Sequence, residues 1–439
     1  MTTNSRHPPP AAKAGADVKV AAPGQEHFLA SLAAHSGDFA AGVAAYVHLP
    51  FCPSRCPSCD HQASVTHAAG DIDSYLDCLQ QEAGLIAEAA GRGHPLTHLH
   101  VGGGTPNYLA DRQLLRLADI VDSLFRIDGS CDSSIEINPA RASASQLEML
   151  RGLGFRRIQL EVRDLDPGVQ RRIGRNLSLA MVADVVTAAR RSGFETVELD
   201  LLYGLPGQDT RSIRTTVRSI LELGPDRVNC SAFTRRVDRF PHQSAIVASE
   251  APSLADKLAL FNEIAEGLSA GPYTWVGLDC FALTKDPLAV AQSEGGLRRN
   301  WFGYTTTRSQ TLIGLGASAI SEIEDLCVQS SADVTRWQQA LQSGRLGLEG
   351  GMWLDAATSN RRRLMQELCC RLEVPTATLS NPDYGLAALD DLARRGVVDR
   401  GPEMTRVTPA GRLMLAGIWA DASVRTRWNG VSWGSYLAA

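Results

Sequence analysis

The chain has no apolar run approaching the roughly 20 residues needed to cross a bilayer, so nothing in it reads as a spanning helix. It also lacks a positive excess. With 43 Lys and Arg against 48 Asp and Glu the net charge is −5, which excludes a globally basic nucleic-acid-binding protein. Any anionic ligand must therefore be held locally. No basic flank, apolar core and small-residue cleavage site opens the sequence, and the expected location is the cytoplasm. Cysteine is scarce too, ten in 439 residues, which excludes a disulfide-stapled scaffold. Against that scarcity, three cysteines crowd into YVHLPFCPSRCPSCDHQ, residues 46–62, as Cys52, Cys56 and Cys59.

Residues 1–26 are rich in Pro, Ala and Gly without hydrophobic periodicity and read as a disordered tail. From Tyr46 onward, apolar strand-like runs alternate with amphipathic stretches. The runs are YVHL, HLHV at 98–101, SIEIN at 134–138, RIQLEV at 157–162, VELDLLYG at 197–204 and RVNCSAF at 227–233. The helical patterns fall at 72–88, 112–125, 144–153, 179–192 and 210–223. Strand then helix, repeated about six times, predicts parallel βα units, in which ligands bind at the carboxyl ends of the strands. The α/β body is expected over 27–345. Over 346–439 the pattern becomes helix 361–371, helix 384–395, a hairpin in GVVDRGPEMTRVT and a closing helix in PAGRLMLAGIWA, a mostly helical, winged-helix-like module. Its Arg361, Arg362 and Arg363 read as a solvated helix face rather than a grip on DNA.

Three thiolates so close together can ligate zinc or an iron–sulfur cluster. Zinc wants four closed ligands, and His61 as the fourth would make a cramped tetrahedron. A cluster can take three cysteines from one loop and leave one iron without a protein ligand, where chemistry can occur. The other seven cysteines, Cys78, Cys131, Cys230, Cys280, Cys327, Cys369 and Cys370, read as small buried hydrophobes. Glu136 and Asp200 stand in strands where apolar residues would serve a purely structural sheet, so each needs a partner or a ligand.

The Cys-x3-Cys-x2-Cys spacing at the first strand end, with GGGTP following about 45 residues later, resembles the radical S-adenosylmethionine enzymes. More narrowly, YVHLPFC, GGGTPNYL, SIEINP, LDLLYGLPGQ, PDRVN, LAVAQSEGGLRRNWFGYTT and LIGLGASAIS resemble, in order, the landmarks of the oxygen-independent coproporphyrinogen III oxidase (coproporphyrinogen dehydrogenase) family. The likeness spans residues 27–420. LRRNWFGYTT sets it apart from the related haem chaperone, and haem delivery, methyl transfer or haem breakdown stand as alternatives.

The resemblance implies a partial (β/α)6 radical S-adenosylmethionine barrel with a substrate-binding extension. It also implies a [4Fe–4S] cluster on Cys52, Cys56 and Cys59, whose open iron chelates S-adenosylmethionine and, on reduction, yields methionine and a 5′-deoxyadenosyl radical. Tyr46 and Glu136 would stand at the reacting centre. Gly103, Gly104 and Thr105 would meet the polar end of the cofactor, Glu136, Arg163, Arg175 and Asp200 would bind it, and Phe281 and Ala282 would line an adenine or second-cofactor pocket. The implied reaction is oxidative decarboxylation of two propionates of coproporphyrinogen III to vinyls, in haem biosynthesis. Flavodoxin or ferredoxin would donate the electron, and the chain would act as a monomer. Substrate carboxylates call for arginine, and Arg235, Arg236, Arg239, Arg298 and Arg299 are candidates. Four places depart from the family pattern. His61 replaces a fourth cysteine, Glu161-Val162-Arg163 replaces Gly-Val-Gln, Cys280 replaces a histidine, and the Arg-Tyr-Thr-Ser-Tyr-Pro segment has no counterpart in residues 1–40.

Overall fold

The computed structural model describes residues 23–300, 302–309, 311–380, 390, 392–412 and 414–415. Six parallel strands carry the body: β1 (Val43–Leu49), β2 (His94–Gly103), β3 (Asp132–Ile137), β4 (Arg157–Arg163), β5 (Thr196–Tyr203) and β6 (Arg227–Ala232). They stand side by side in chain order and pair in parallel throughout. Helices Ala69–Ala90, Asp111–Leu124, Ala144–Gly152, Leu179–Ser192 and Thr210–Leu223 make the crossovers. Their ends follow local chemistry. Ser143, Ser178 and Asp209 each accept a backbone N–H of the first turn, and Gly193 and Gly224 close their helices in the left-handed region.

Antiparallel strands extend the sheet at both edges, so it is a partial barrel. Beyond β6 lie β8 (Cys280–Leu283) and β7 (Tyr273–Val276). Beyond β1 come β9 (Leu312–Leu315), which is parallel to it, then β10 (Ile320–Ile323), β11 (Leu326–Ser330) and β12 (Leu348–Trp353). A small hairpin, Arg298–Asn300 with Gly303–Thr305, stands apart from this sheet. None of these short strands carries a periodicity that sequence reading detects.

The parallel strands are buried on both faces but apolar on only one. Residues such as Val47, Val101, Ile135, Leu160, Leu199 and Val228 belong to the main hydrophobic core under the helices. The alternate positions hold Tyr46, His100, Glu136, Gln159, Asp200 and Asn229, which register partners bring into neighbouring rows. A parallel sheet covered by helices normally reads as continuous hydrophobic runs. A polar inner face therefore marks the barrel interior as a site.

In the C-terminal segment Leu368, Val374, Leu379, Val397 and Leu415 are buried in a cluster that they share with Leu278 of the body. Helix Ala356–Arg371 leads to strand Glu373–Pro375, which pairs with the hairpin Val398–Arg400 and Met404–Val407 as expected from GVVDRGPEMTRVT. Of the expected elements, residues 1–22 of the tail, 384–389 and 391 of the second helix, and 413 and 416–420 of the closing helix lie outside the described residues.

One buried carboxylate ties this architecture together. Glu82, on helix Ala69–Ala90, accepts the Gly316 N–H at 2.6 Å and the Trp337 Nε1–H at 3.1 Å. Burial pushes its carboxyl up to about 7 despite these donors. Between the ordinary 4.5 and about 7 the folded chain keeps a proton that the unfolded chain has released. Stability therefore declines as pH rises through that window, by up to roughly 3 kcal/mol. Melting curves recorded from about pH 5 to about pH 8 are expected to show a falling midpoint, with a shallower slope in Glu82→Gln. An identical slope in the variant would clear Glu82 as its source.

Candidate active site at the carboxyl ends of the parallel strands

The loop after β1 carries the three cysteines. Its backbone is pinned to the loop after β2, where the Gly104 and Thr105 N–H groups donate to Leu49 O at 2.8 Å and Phe51 O at 2.9 Å. Such close approach requires glycine. A Cβ on Gly104 would come 2.7 Å from Phe51 O, and Gly103, at φ 111°, would drive one to 2.5 Å from the His48 ring. On the far side of the loop, His242 Nε2 lies 2.7 Å and Gln243 Nε2 lies 3.1 Å from Cys59 O. Cys52, Cys56 and Cys59 are partly exposed, whereas the other seven cysteines are buried, as expected of packed thiols.

The three thiols line one cleft of about 620 Å³, mouth included, with Gly103, Gly104 and Thr105 opposite. Cys52 Sγ lies 3.4 Å from Thr105 Oγ1. Burial pushes Cys52 up to about 11 and Cys59 up to about 12, so each holds its proton until a cation displaces it. Among the described residues no three His, Cys, Asp or Glu side chains converge as a single metal ion requires. A cubane asks for less, because each thiolate takes a separate iron. The donor set fits a three-cysteine cluster better than zinc.

Beside the cleft lies a second cavity, of about 760 Å³, lined by Tyr46, His48, His100, Glu136, Asp200 and Phe302 among others. Tyr46, His100 and Phe302 form a three-ring cluster, with ring centroids 5.9 Å (Tyr46–His100), 4.9 Å (Tyr46–Phe302) and 5.6 Å (His100–Phe302) apart. His48 Nε2 lies 3.0 Å from the Gln62 carbonyl, which can only accept, so that nitrogen carries the proton. Nδ1 then accepts from the Tyr46 hydroxyl at 2.9 Å, which fixes the phenol. Burial lowers His48 to about 4 and keeps it neutral.

Glu136 accepts the Gly103 N–H at 2.9 Å and lies 3.2 Å from His100 Nε2. Burial works against its charge, but His100 and the amide overcome it and hold Glu136 down at about 2. Asp200 accepts from Gln159 at 2.6 Å and from Asn229 at 3.2 Å. Burial pushes it up to about 6, opposed by Arg163. Two neighbouring carboxylates thus differ in their hold on a proton, a pattern typical of functional sites.

Arg163 ends β4 at a register irregularity, with its backbone at φ 68°, and pairs with Glu161 at 2.7 Å. It and His61 line the cysteine cleft, the Tyr46 cavity and a third cavity of about 720 Å³ around Arg157, Asp200 and Asn229. Arg175 donates to Glu161 O at 2.7 Å and lines the cysteine cleft.

Residues 46–220 match the family model of the radical SAM superfamily. The chain is 34% identical over 385 residues to the oxygen-independent coproporphyrinogen III oxidase of Pseudomonas aeruginosa, covering 85% of this chain and 84% of that one. It is also 34% identical to the oxidase of Escherichia coli K12, covering 85% and 83%. The solved coproporphyrinogen III oxidase of Escherichia coli, described as a radical SAM enzyme, superposes with a TM-score of 0.84 at 32% identity, covering 91% of this chain and 94% of that one. The chain belongs to the oxygen-independent coproporphyrinogen III oxidase family. As in that family, its cofactors are a [4Fe–4S] cluster and S-adenosylmethionine.

Of the residues expected around the oxidase site, Tyr46, Gly103, Glu136, Arg163 and Asp200 line one cavity, and Gly104, Thr105 and Arg175 line the adjoining cleft. Phe281 and Ala282 lie elsewhere. Both are fully buried in β8, Phe281 against Trp275 and Phe261, while the neighbouring Asp279 and Cys280 line the third cavity. Arg235, Arg236 and Arg239 fall in the loop after β6, the first bonded to Ile246 O and the other two over Phe240. His48, His100, Phe302 and Ser318 were not expected at the oxidase site. The histidines follow from the period-two alternation of β1 and β2. Ser318 gives no sequence signal, yet it lines the Tyr46 cavity at φ 65° with a buried hydroxyl that has no partner among the described residues. An orphaned hydroxyl in a cavity wall is a ready ligand contact.

Proposed function

We propose that the chain catalyses the oxygen-independent oxidative decarboxylation of coproporphyrinogen III to protoporphyrinogen IX, in haem biosynthesis. What carries this reading is family membership over 85% of the chain together with a polar-faced barrel that opens beside a three-cysteine cleft. When bound, the cluster and S-adenosylmethionine supply a primary carbon radical that removes one hydrogen atom from a propionate β-carbon. Loss of carbon dioxide and of one electron to an acceptor then leaves the vinyl group, once for each of two propionates.

The residues of this chain bind, orient and exclude water. Cys52, Cys56 and Cys59 hold the cluster. Glu136, already ionised by His100 and the Gly103 amide, suits an ammonium group, and Asp200, Gln159 and Arg175 offer partners for polar cofactor groups. Tyr46, packed in one cluster with His100 and Phe302 and oriented by His48, forms a rigid apolar wall beside the reacting atoms. Arg163 lines all three cavities and would contact a cofactor held in any of them. A reduced flavodoxin or ferredoxin supplies the electron, and the chain works as a cytoplasmic monomer.

The test is anaerobic. Protein reconstituted with iron and sulfide is mixed with S-adenosylmethionine, a reductant and coproporphyrinogen III, and products are read by mass spectrometry. The expected products are 5′-deoxyadenosine and a tetrapyrrole lacking two carbon dioxide units. Deoxyadenosine without decarboxylated tetrapyrrole would overturn the assignment and leave a radical enzyme of another specificity.

A further inference from the structure

A polar cavity of about 1320 Å³, mouth included, lies between the 298–309 segment and helix Ala356–Arg371. Five arginines line it: Arg298, Arg299, Arg308, Arg362 and Arg363. Two are already satisfied, Arg299 by Asp279 at 3.0 Å and Arg362 by Glu322 at 2.8 Å. Arg298, Arg308 and Arg363 are exposed at its rim and have no ion-pair partner among the described residues. Several other polar groups of the wall are already hydrogen-bonded to the protein. Asn300 accepts the Phe302 N–H, Thr307 donates to Thr97 O, and Gln366 donates to Arg299 O. Free guanidinium forks are thus what this cavity offers a ligand, against one unpaired wall carboxylate, Glu324.

Its position relates it to the candidate active site. Ala44 and Leu312, register partners on β1 and β9, line the arginine cavity, while Tyr46, two residues further along the same face, lines the Tyr46 cavity. Two residues of strand span roughly 7 Å. Phe302 packs with Ala44, Tyr46 and Leu312 at this step, and Arg299 lines both the arginine cavity and the third cavity.

We propose that this cavity binds the carboxylates of a multiply charged organic anion and that, on the function proposed above, it anchors the unreacted propionates of the tetrapyrrole on the side of Phe302 away from the cysteine loop. Arginine forks pair bidentately with carboxylates, and three unpaired forks around a concavity suit a compact polyanion better than a nucleic-acid backbone, which asks for a basic stripe. The assignment draws helix Ala356–Arg371, and so the C-terminal module, into substrate recognition.

The probe is coproporphyrin III, the stable oxidised tetracarboxylate, titrated by its fluorescence into the reconstituted full chain alongside its tetramethyl ester. The acid is expected to bind and the ester to bind at least about tenfold more weakly. Arg298→Gln/Arg363→Gln is expected to weaken the acid by roughly 10- to 100-fold, while Arg363→Lys, which keeps the charge but not the fork, weakens it less than the double variant. Iron content and melting midpoint matching the parent confirm that the variants are folded. Equal binding of acid and ester, or a double variant that binds like the parent, overturns the proposal. The two readings separate cleanly. Arginine-dependent binding without decarboxylation keeps the site and overturns the function, whereas decarboxylation with an unchanged KM in the double variant does the reverse.

Discussion

Cys56→Ala is expected to yield a folded protein that retains almost no iron or labile sulfide after anaerobic reconstitution and forms no detectable 5′-deoxyadenosine. The loss follows from the ligand count. Three thiolates each take one iron, and with two left the cubane has two open corners and only a two-point anchor to hold it. The fold should survive, because Cys56 is partly exposed on a loop whose backbone bonds run to Gly104, Thr105 and Gln243 rather than through its side chain. A surface change of this kind shifts stability by about 0.5 kcal/mol or less. Cys230→Ala is the control. That thiol is fully buried in β6, so its loss costs packing but leaves iron content at the parent level. If Cys56→Ala still bound a full complement of iron and sulfide, or if the parent took up one zinc and no iron, the cluster assignment would fall.

What the sequence disclosed, and what it hid, divides along local and non-local lines. Helices Leu179–Ser192 and Thr210–Leu223 begin and end where the periodicity places them, because Ser178, Asp209, Gly193 and Gly224 are local signals that tertiary structure has no reason to override. The six parallel strands were legible for the same reason, and the cysteine spacing fixed which strand ends mattered. Strands Tyr273–Val276 and Cys280–Leu283 were not legible, since four-residue strands owe their existence to a neighbour already in place. The same limit applies to Phe281. Its side chain falls on the core face of its strand, so the aromatic that reaches the Tyr46 cavity is Phe302, from a hairpin outside the main sheet. Arg363 illustrates a third case. A run of three arginines on a helix reads as solvated, and only the fold brings the 298–309 segment opposite it.

Arg163→Gln is expected to be the most damaging single change that leaves the cysteine loop intact. The chain holds Arg163 at φ 68°, beside a register irregularity, where it faces Glu161 at 2.7 Å and feels the charges of Asp200, Asp60 and Glu136. Removing one partner of a buried pair strands the other, at a cost of about 3–5 kcal/mol. It also removes the cation that opposes the effect of burial on Asp200, whose carboxyl then rises further and holds its proton more tightly. With a carboxylate stranded at the junction of three cavities, kcat/KM is expected to fall on the order of a hundredfold. Glu161→Gly/Arg163→Gln restores the Gly-Val-Gln pattern of the family and removes the stranded charge along with its partner. It should recover most of the stability and a large part of the activity, a coupling that a double-mutant cycle reads directly. Melting midpoints and kcat/KM for the four proteins decide the matter. Strictly additive losses would show that Glu161 and Arg163 act independently, and the pair would then be a bystander to the chemistry rather than the device that keeps the carboxylates of adjoining cavities compatible.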